Sequence, residues 1–195
     1  MAYNSTSWTT DGSTTSVSVG NYSLYAYFGI NETISQSYAN NIHYAMPFQP
    51  GPPMASSVAD VDIGTSTDPD TSFTTANTDT QYSGQIISMM WYVPDNITID
   101  NIYAFVGADN ATGDTTRMFL YSFTFNSAST SCLSGGTLLA RNSDVTNAGN
   151  EQAYKSTFSV TTSDVDAGKV ILAFFRSDSV NSDYSLNITI KYHLR

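Results

Sequence analysis

The amino-acid pattern predicts an all-β chain, and three observations carry that expectation. First, Tyr184, Leu186, Ile188, Ile190, Tyr192 and Leu194 alternate strictly with Ser185, Asn187, Thr189, Lys191 and His193. A period of two describes a strand with one buried and one wet face, whereas a helix would scatter those apolar residues around its axis. Second, charged residues make up 12% of the 195 positions, about half the ~25% usual in globular domains. Ser, Thr and Asn fill the gap, and 13 Tyr and 10 Phe keep the aromatic content high. Such residues suit a pleated, half-buried surface, and scarce Lys leaves little for charged helix faces. Third, short apolar runs recur between clusters of Gly, Asn and Asp, the punctuation of a sandwich or barrel.

Residues 1–40 read as an N-terminal extended arm carrying a β-hairpin. Within it, residues 14–19 and 22–28 flank Gly20-Asn21, and a leading Gly suits a type II′ turn. The hairpin has too little apolar surface to stand alone and is expected to pack on the main domain or on a neighbouring subunit. Residues 41–195 read as that main domain. Its first strand spans 42–48. Pro47, Pro50, Pro52 and Pro53 then interrupt regular structure, and residues 49–84 are expected to form a long polar loop. Further strands are expected over 85–93, 97–107, 116–125, 137–141, 153–161, 169–176 and 184–194. The run over 169–176 is apolar on both faces, as a central strand is. Eight antiparallel strands in two sheets make a jelly-roll sandwich, with an up-and-down barrel as the nearest alternative. Helix is expected only as single turns, such as near 163–167.

The formal net charge of −10 repels phosphates and anionic lipid, so neither nucleic acid nor a membrane is expected as a partner. The lone Cys132 rules out an intrachain disulfide, so stability must come from the core or from oligomer contacts. Met1-Ala2-Tyr3-Asn4-Ser5 has neither a basic nor an apolar leader region, which points to synthesis in a cytoplasm. No Gly-x-Ser-x-Gly elbow, phosphate loop, His-Glu-x-x-His or Cys-x-x-Cys pattern is present, so no catalytic residue, no cofactor and no enzymatic activity are expected. His43 and His193 are expected as solvated surface residues. No metal is expected; calcium is the ion that the residues come nearest to suiting, through Asp60, Asp62, Asp68 and Asp70, or through Asp109, Asn110 and Asp114. Neither group matches an EF-hand loop, and solvated acidic turns are the plainer reading.

Trp91, Tyr92, Tyr22, Tyr25 and Tyr27 suit either sugar stacking or an apolar contact, the latter being commoner. Trp8, Tyr22, Tyr25, Tyr27, Phe28 and Phe48 are the candidate interface residues, with the arm and the loop as the segments expected to touch neighbouring subunits.

The stretch from Trp91 to Arg195 resembles the C-terminal jelly-roll region of structural proteins from marine tailed bacteriophages. The residues that carry the resemblance are Val93-Pro94-Asp95-Asn96-Ile97-Thr98-Ile99-Asp100-Asn101-Ile102, then Ser163-Asp164-Val165-Asp166-Ala167-Gly168-Lys169-Val170, then Tyr184-Ser185-Leu186-Asn187-Ile188-Thr189-Ile190-Lys191-Tyr192. Lys169 stands where that family often has Asp. The resemblance covers about half of the chain and implies a virion surface protein: a capsid decoration or cement protein, a head fibre, or a tail-associated adhesin. The partners it implies are further copies of the chain, in a trimer, the major capsid protein or other virion proteins, and, for an adhesin, host surface glycan.

Overall fold

The computed structural model describes residues 8–10, 13–15, 22–31, 43–49, 87–109, 112–126, 133–178 and 183–195. Their strands, in chain order, are β1 (Trp8–Thr10), β2 (Ser13–Thr15), β3 (Leu24–Asn31), β4 (His43–Met46), β5 (Phe48–Gln49), β6 (Met90–Tyr92) and β7 (Ile97–Asp109). They continue with β8 (Thr115–Phe125), β9 (Leu133–Asn142), β10 (Val145–Thr146), β11 (Gln152–Val160), β12 (Asp164–Val165), β13 (Lys169–Ser177) and β14 (Asp183–Leu194). A single helical turn at 87–89 is the one helix among the described residues. The chain is thus nearly all β, and every ladder is antiparallel.

β1 and β2 pair only with each other; the other strands form one continuous path, β4-β13-β8-β9-β11-β7-β14-β3-β5, with β6, β10 and β12 attached to it. The path folds into two layers. The front sheet is β11-β7-β14-β3-β5 and the back sheet is β4-β13-β8-β9. Two segments cross between the layers. β11 pairs with β7 over residues 152–157 and with β9 over 158–160. At the opposite margin, β4 pairs with β13 while β5, one residue further on, pairs with β3. Pro47 lies at that crossing, and its carbonyl accepts a 3.1 Å bond from Gly29 N–H. A proline fits there because it has no N–H to withhold from a ladder. Both margins thus carry a segment that passes from one sheet to the other.

The inward residues of the two sheets form one core, with Phe28, Ile30, Ile102, Ala104, Ile188 and Ile190 from the front and Met118, Leu120, Ile171 and Phe175 from the back. The outer face of the back sheet is buried as well. Phe119, Tyr121, Phe123, Val170, Leu172 and Phe174 make a second cluster with Met89 and Leu133. β8 and β13 are therefore apolar on both faces, and the period of two that marks β14 vanishes from them.

Several expectations are corrected here. Residues 24–31, assigned to the arm, form β3, a full front-sheet strand that pairs with β14 from Asn31–Ser185 to Leu24–Tyr192. The reason is apolar content: Ala26, Phe28 and Ile30 are all core residues. Among the described residues β3 pairs with β14 and β5 and β2 pairs with β1; residues 16–21, with the Gly20-Asn21 turn of the expected hairpin, lie outside them. The strand expected over 85–93 is cut down to the helical turn and the short β6. The turn expected near 163–167 holds the two-residue strand β12. It leads into Gly168, whose φ of +84° is a left-handed conformation open to glycine at little cost. The described residues hold fourteen strands, several of only two or three residues, where eight were expected. His43, expected in solvent, is 0% exposed and sits edge-on to the Phe119 ring at 5.3 Å. Most of the 49–84 loop, and Cys132, lie outside the described residues.

The place of β3 in the core makes a direct prediction. A chain lacking residues 1–21 should keep its far-ultraviolet strand signal and unfold cooperatively, whereas one lacking residues 1–31 should do neither. Phe28→Ala should lower stability by about 3–5 kcal/mol in chemical denaturation; a negligible loss would place this side chain outside the core.

Candidate binding surface

Alternation that sends Phe28, Ala104 and Ile188 inward must send their neighbours outward. The ladders align those outward residues across the front sheet in rows. Thr157, Tyr103, Thr189 and Tyr27 make one row, Lys155, Phe105, Asn187 and Gly29 the next, and Ala153, Gly107 and Ser185 a third. On the other side, Asn101, Lys191 and Tyr25 extend the surface.

The result is two aromatic rails. Tyr103 and Phe105 lie on β7, Tyr25 and Tyr27 on β3, and the polar strand β14 runs between them. With strands about 4.8 Å apart, the rails stand roughly 10 Å from each other. Phe105 and Tyr25 are each 51% exposed. Scattered exposed aromatics are ordinary; here four lie on one sheet face in two rows separated by the polar residues of β14. The floor carries Asn187 and Thr189, whose hydroxyl donates to Asn187 Oδ1 at 2.9 Å. Asn101 Nδ2 donates to the Tyr103 hydroxyl at 3.1 Å. Lys155 Nζ stands over the Tyr103 ring, 4.9 Å from its centroid, a cation–π contact that fixes the ring.

Beyond Phe105 the surface steps down. Gly107 and Ser185 bring no bulk, and they line an open depression of about 610 Å³ rimmed by Asp109, Glu151 and Asp183. Asp109 and Asp183 stand directly opposite each other across β7 and β14, an arrangement that like charges disfavour. Asp183 Oδ1 is enclosed and accepts no hydrogen bond from the described residues.

Buried polar contacts hold the strands behind this face. Asn142 accepts from Met118 N–H at 2.7 Å and donates to Ser156 Oγ at 2.9 Å, while Tyr154 and Tyr184 hydroxyls meet Thr116 and Ser177 at 2.9 Å. Burial raises the Tyr154 hydroxyl pKa above its ordinary value. An extra residue in β7, Asp100, interrupts the register opposite Lys191 and Tyr192 and reaches His193 Nδ1 at 2.7 Å. His193 is therefore partly buried and paired, where solvent alone was expected.

The candidate interface residues separate. Tyr25 and Tyr27 share the aromatic face, and Tyr22 is 76% exposed. Phe28 is a correction: it is fully enclosed by its own chain and has no surface to offer a neighbour. Phe48 is half-buried, packed against the core and stacked on Trp91 at 6.0 Å. Trp8 lies in the separate β1–β2 hairpin. Asp60, Asp62, Asp68 and Asp70 lie outside the described residues. Asp109 and Asp114 sit at the facing ends of β7 and β8, and no group of metal-capable side chains occurs among the described residues. Sequence reasoning missed Tyr103 and Phe105, which read as ordinary members of a buried run; the signal was their odd-numbered phase against Ile102, Ala104 and Val106.

No family model matches the chain, and no curated protein matches it. Similar solved structures include an aminopeptidase from a marine sediment archaeon, Thaumarchaeota archaeon, at 10% identity and a TM-score of 0.37, covering 88% of this chain. An α-amino acid ester hydrolase is similar at 9% identity and a TM-score of 0.38, covering 87% of this chain. The chain spans 35% of the length of each. The desmodium yellow mottle tymovirus structure is similar over 95% of both chains, at 11% identity and a TM-score of 0.29. Likenesses this distant assign no activity.

Arg117 grips Asp144 through two nitrogens, and these hydrogen bonds, with the nearby guanidinium charge, hold the Asp144 carboxyl below its ordinary value of 3.8. A lowered carboxyl pKa stabilises the fold above the unfolded value, and that gain is lost as pH falls through the folded value. Asp144→Asn should therefore narrow its stability gap to the parent as acid is added below about pH 4, read as melting temperature against pH. A gap constant across that window would mean that the pair contributes nothing through protonation.

Proposed function

We propose that this chain is a virion structural protein, a decoration or cement module on the outer surface of a tailed-phage head, acting as a homo-oligomer and not as an enzyme. The fold is read as a jelly roll. Taking β3, β4, β7, β8, β9, β11, β13 and β14 as its eight strands, the first pairs with the eighth, the second with the seventh, the third with the sixth and the fourth with the fifth. That nesting is one long hairpin rolled up on itself, the winding of a jelly roll.

One observation carries the functional reading. β5 runs antiparallel to β3, so the chain leaves Gln49 towards the end at which β3 begins. The described chain thus enters at Tyr22 and breaks off at Gln49 near the same end of β3, and the sequences beyond those two points, 1–21 and 50–86, are both rich in small polar residues. Two polar sequences flanking one end of a strand in a β-sandwich suit a module that contacts neighbours on a lattice. Binding the assembled shell in preference to its loosened form stabilises it by mass action.

The reading predicts that purified shells carrying this protein resist heating better than shells without it, and that a chain lacking residues 1–21 stays folded but no longer cosediments with shells. Imaging of intact particles with no density for this barrel on the head would overturn it. A second reading, a head-fibre or tail-associated adhesin module that binds host surface glycan, is favoured by the exposed aromatic face of the front sheet.

A further inference from the structure

We propose that the outer face of the front sheet, from Tyr25 and Tyr27 across Asn187 and Thr189 to Tyr103 and Phe105, and on into the depression at Gly107, is a binding site for an uncharged, hydroxyl-rich polysaccharide. The inference deepens the adhesin reading and rests on it.

Shape is the first argument. A sugar ring has a flat face of C–H groups and a rim of hydroxyls. Aromatic side chains take the first, because their faces carry negative charge and present apolar area with few torsions to freeze. Amides, hydroxyls and carboxylates take the second. This surface orders them in that way: aromatic rails on either side, amide and hydroxyl between, carboxylates at the end. The depression, about 610 Å³, falls within the range of small-ligand sites.

Charge is the second argument, and it decides between kinds of polysaccharide. The rows from Tyr25 to Gly107 contain no Asp or Glu. Their cations are Lys155, engaged over Tyr103, and Lys191. Asp109, Glu151 and Asp183 close one end. An acidic polymer would meet this carboxylate rim and a chain of net charge −10, with two lysines to oppose them. An uncharged polyol meets no repulsion, and its hydroxyls can donate to the rim carboxylates. A second copy of the chain is the competing occupant. It would bring its own negative charge to the face, and the polar floor between the rails gives it no continuous apolar surface to bury.

The test uses the full chain, immobilised on a panel of neutral and acidic polysaccharides, followed by calorimetry with each that binds. A neutral polysaccharide should bind, with an affinity unchanged as salt is raised. Phe105→Ala and Tyr25→Ala should each weaken binding roughly tenfold, with melting temperatures near that of the parent. Tyr92→Ala, an exposed aromatic of the back sheet, should change nothing. Binding confined to acidic polysaccharides and abolished by salt would overturn this inference while leaving the adhesin reading in place. Absence of binding to every polysaccharide would overturn both. A drop in oligomer mass in Phe105→Ala, seen by sedimentation, would assign the face to contacts between copies and overturn the inference.

Discussion

The ladder between β14 and β7 is the constraint on which the rest of the structure depends. It runs from Asp183 opposite Asp109 to Leu194 opposite Ile97. β14 also holds β3 on its other side, so one strand sets the register of the whole front sheet. A slip by one residue would turn Ile188 and Ile190 to water and press Asn187 and Thr189 into the core, since side chains alternate with a period of two. At full burial each of those isoleucines contributes about 1.5–3 kcal/mol, so a slipped register is far less stable than the native one. The bulge at Asp100 belongs to the same logic. Ile99 and Ile102 are both core residues three apart, which a regular strand cannot bury together, and the extra residue restores the phase.

Closure follows from that register. Once the front sheet is fixed, β11 on one margin and the bent segment 43–49 on the other must carry pairing into the back sheet. The two sheets then face each other over a shared core. The back sheet spends its outer face on a second apolar cluster, whereas the front sheet's outer face keeps exposed aromatics among hydroxyls and amides. The molecule is therefore two-sided, with one sheet devoted to burial and the other presenting chemistry.

The sequence revealed the long strands with one or two clearly apolar faces, and misled where an apolar run is short or its alternation is blurred by outward aromatics. β14 was legible to its ends because Ser185, Asn187, Thr189 and Lys191 interrupt the apolar residues at every second place. β13 was legible as a central strand because both faces are apolar over 169–176. β3 was misplaced because Tyr25 and Tyr27 blur its alternation and because it follows a polar stretch; only the distant ladder to β14 shows it to be core. The run at 85–93 misled in the opposite direction: apolar residues there serve a helical turn and the three-residue β6, since Met89 packs into the outer cluster of the back sheet from outside the ladders. Short apolar runs do not by themselves separate strand from helix.

The candidate surface was the least legible part, and the reason is geometric. Tyr25 and Tyr103 stand far apart in the chain and become neighbours only through β14 between them, a relation that no local pattern contains. Yet each outward aromatic breaks a local rule. In β7, Phe105 lies between Ala104 and Val106, which are 0% and 2% exposed, and is itself 51% exposed. A strand selected for stability alone would bury its largest apolar side chain and give the wet position to Thr or Lys, as β14 does. Here the small Ala104 is buried and the large Phe105 is left outside. Breaches of that kind, repeated on two strands and brought together by the register, are where a fold gives up stability for something else.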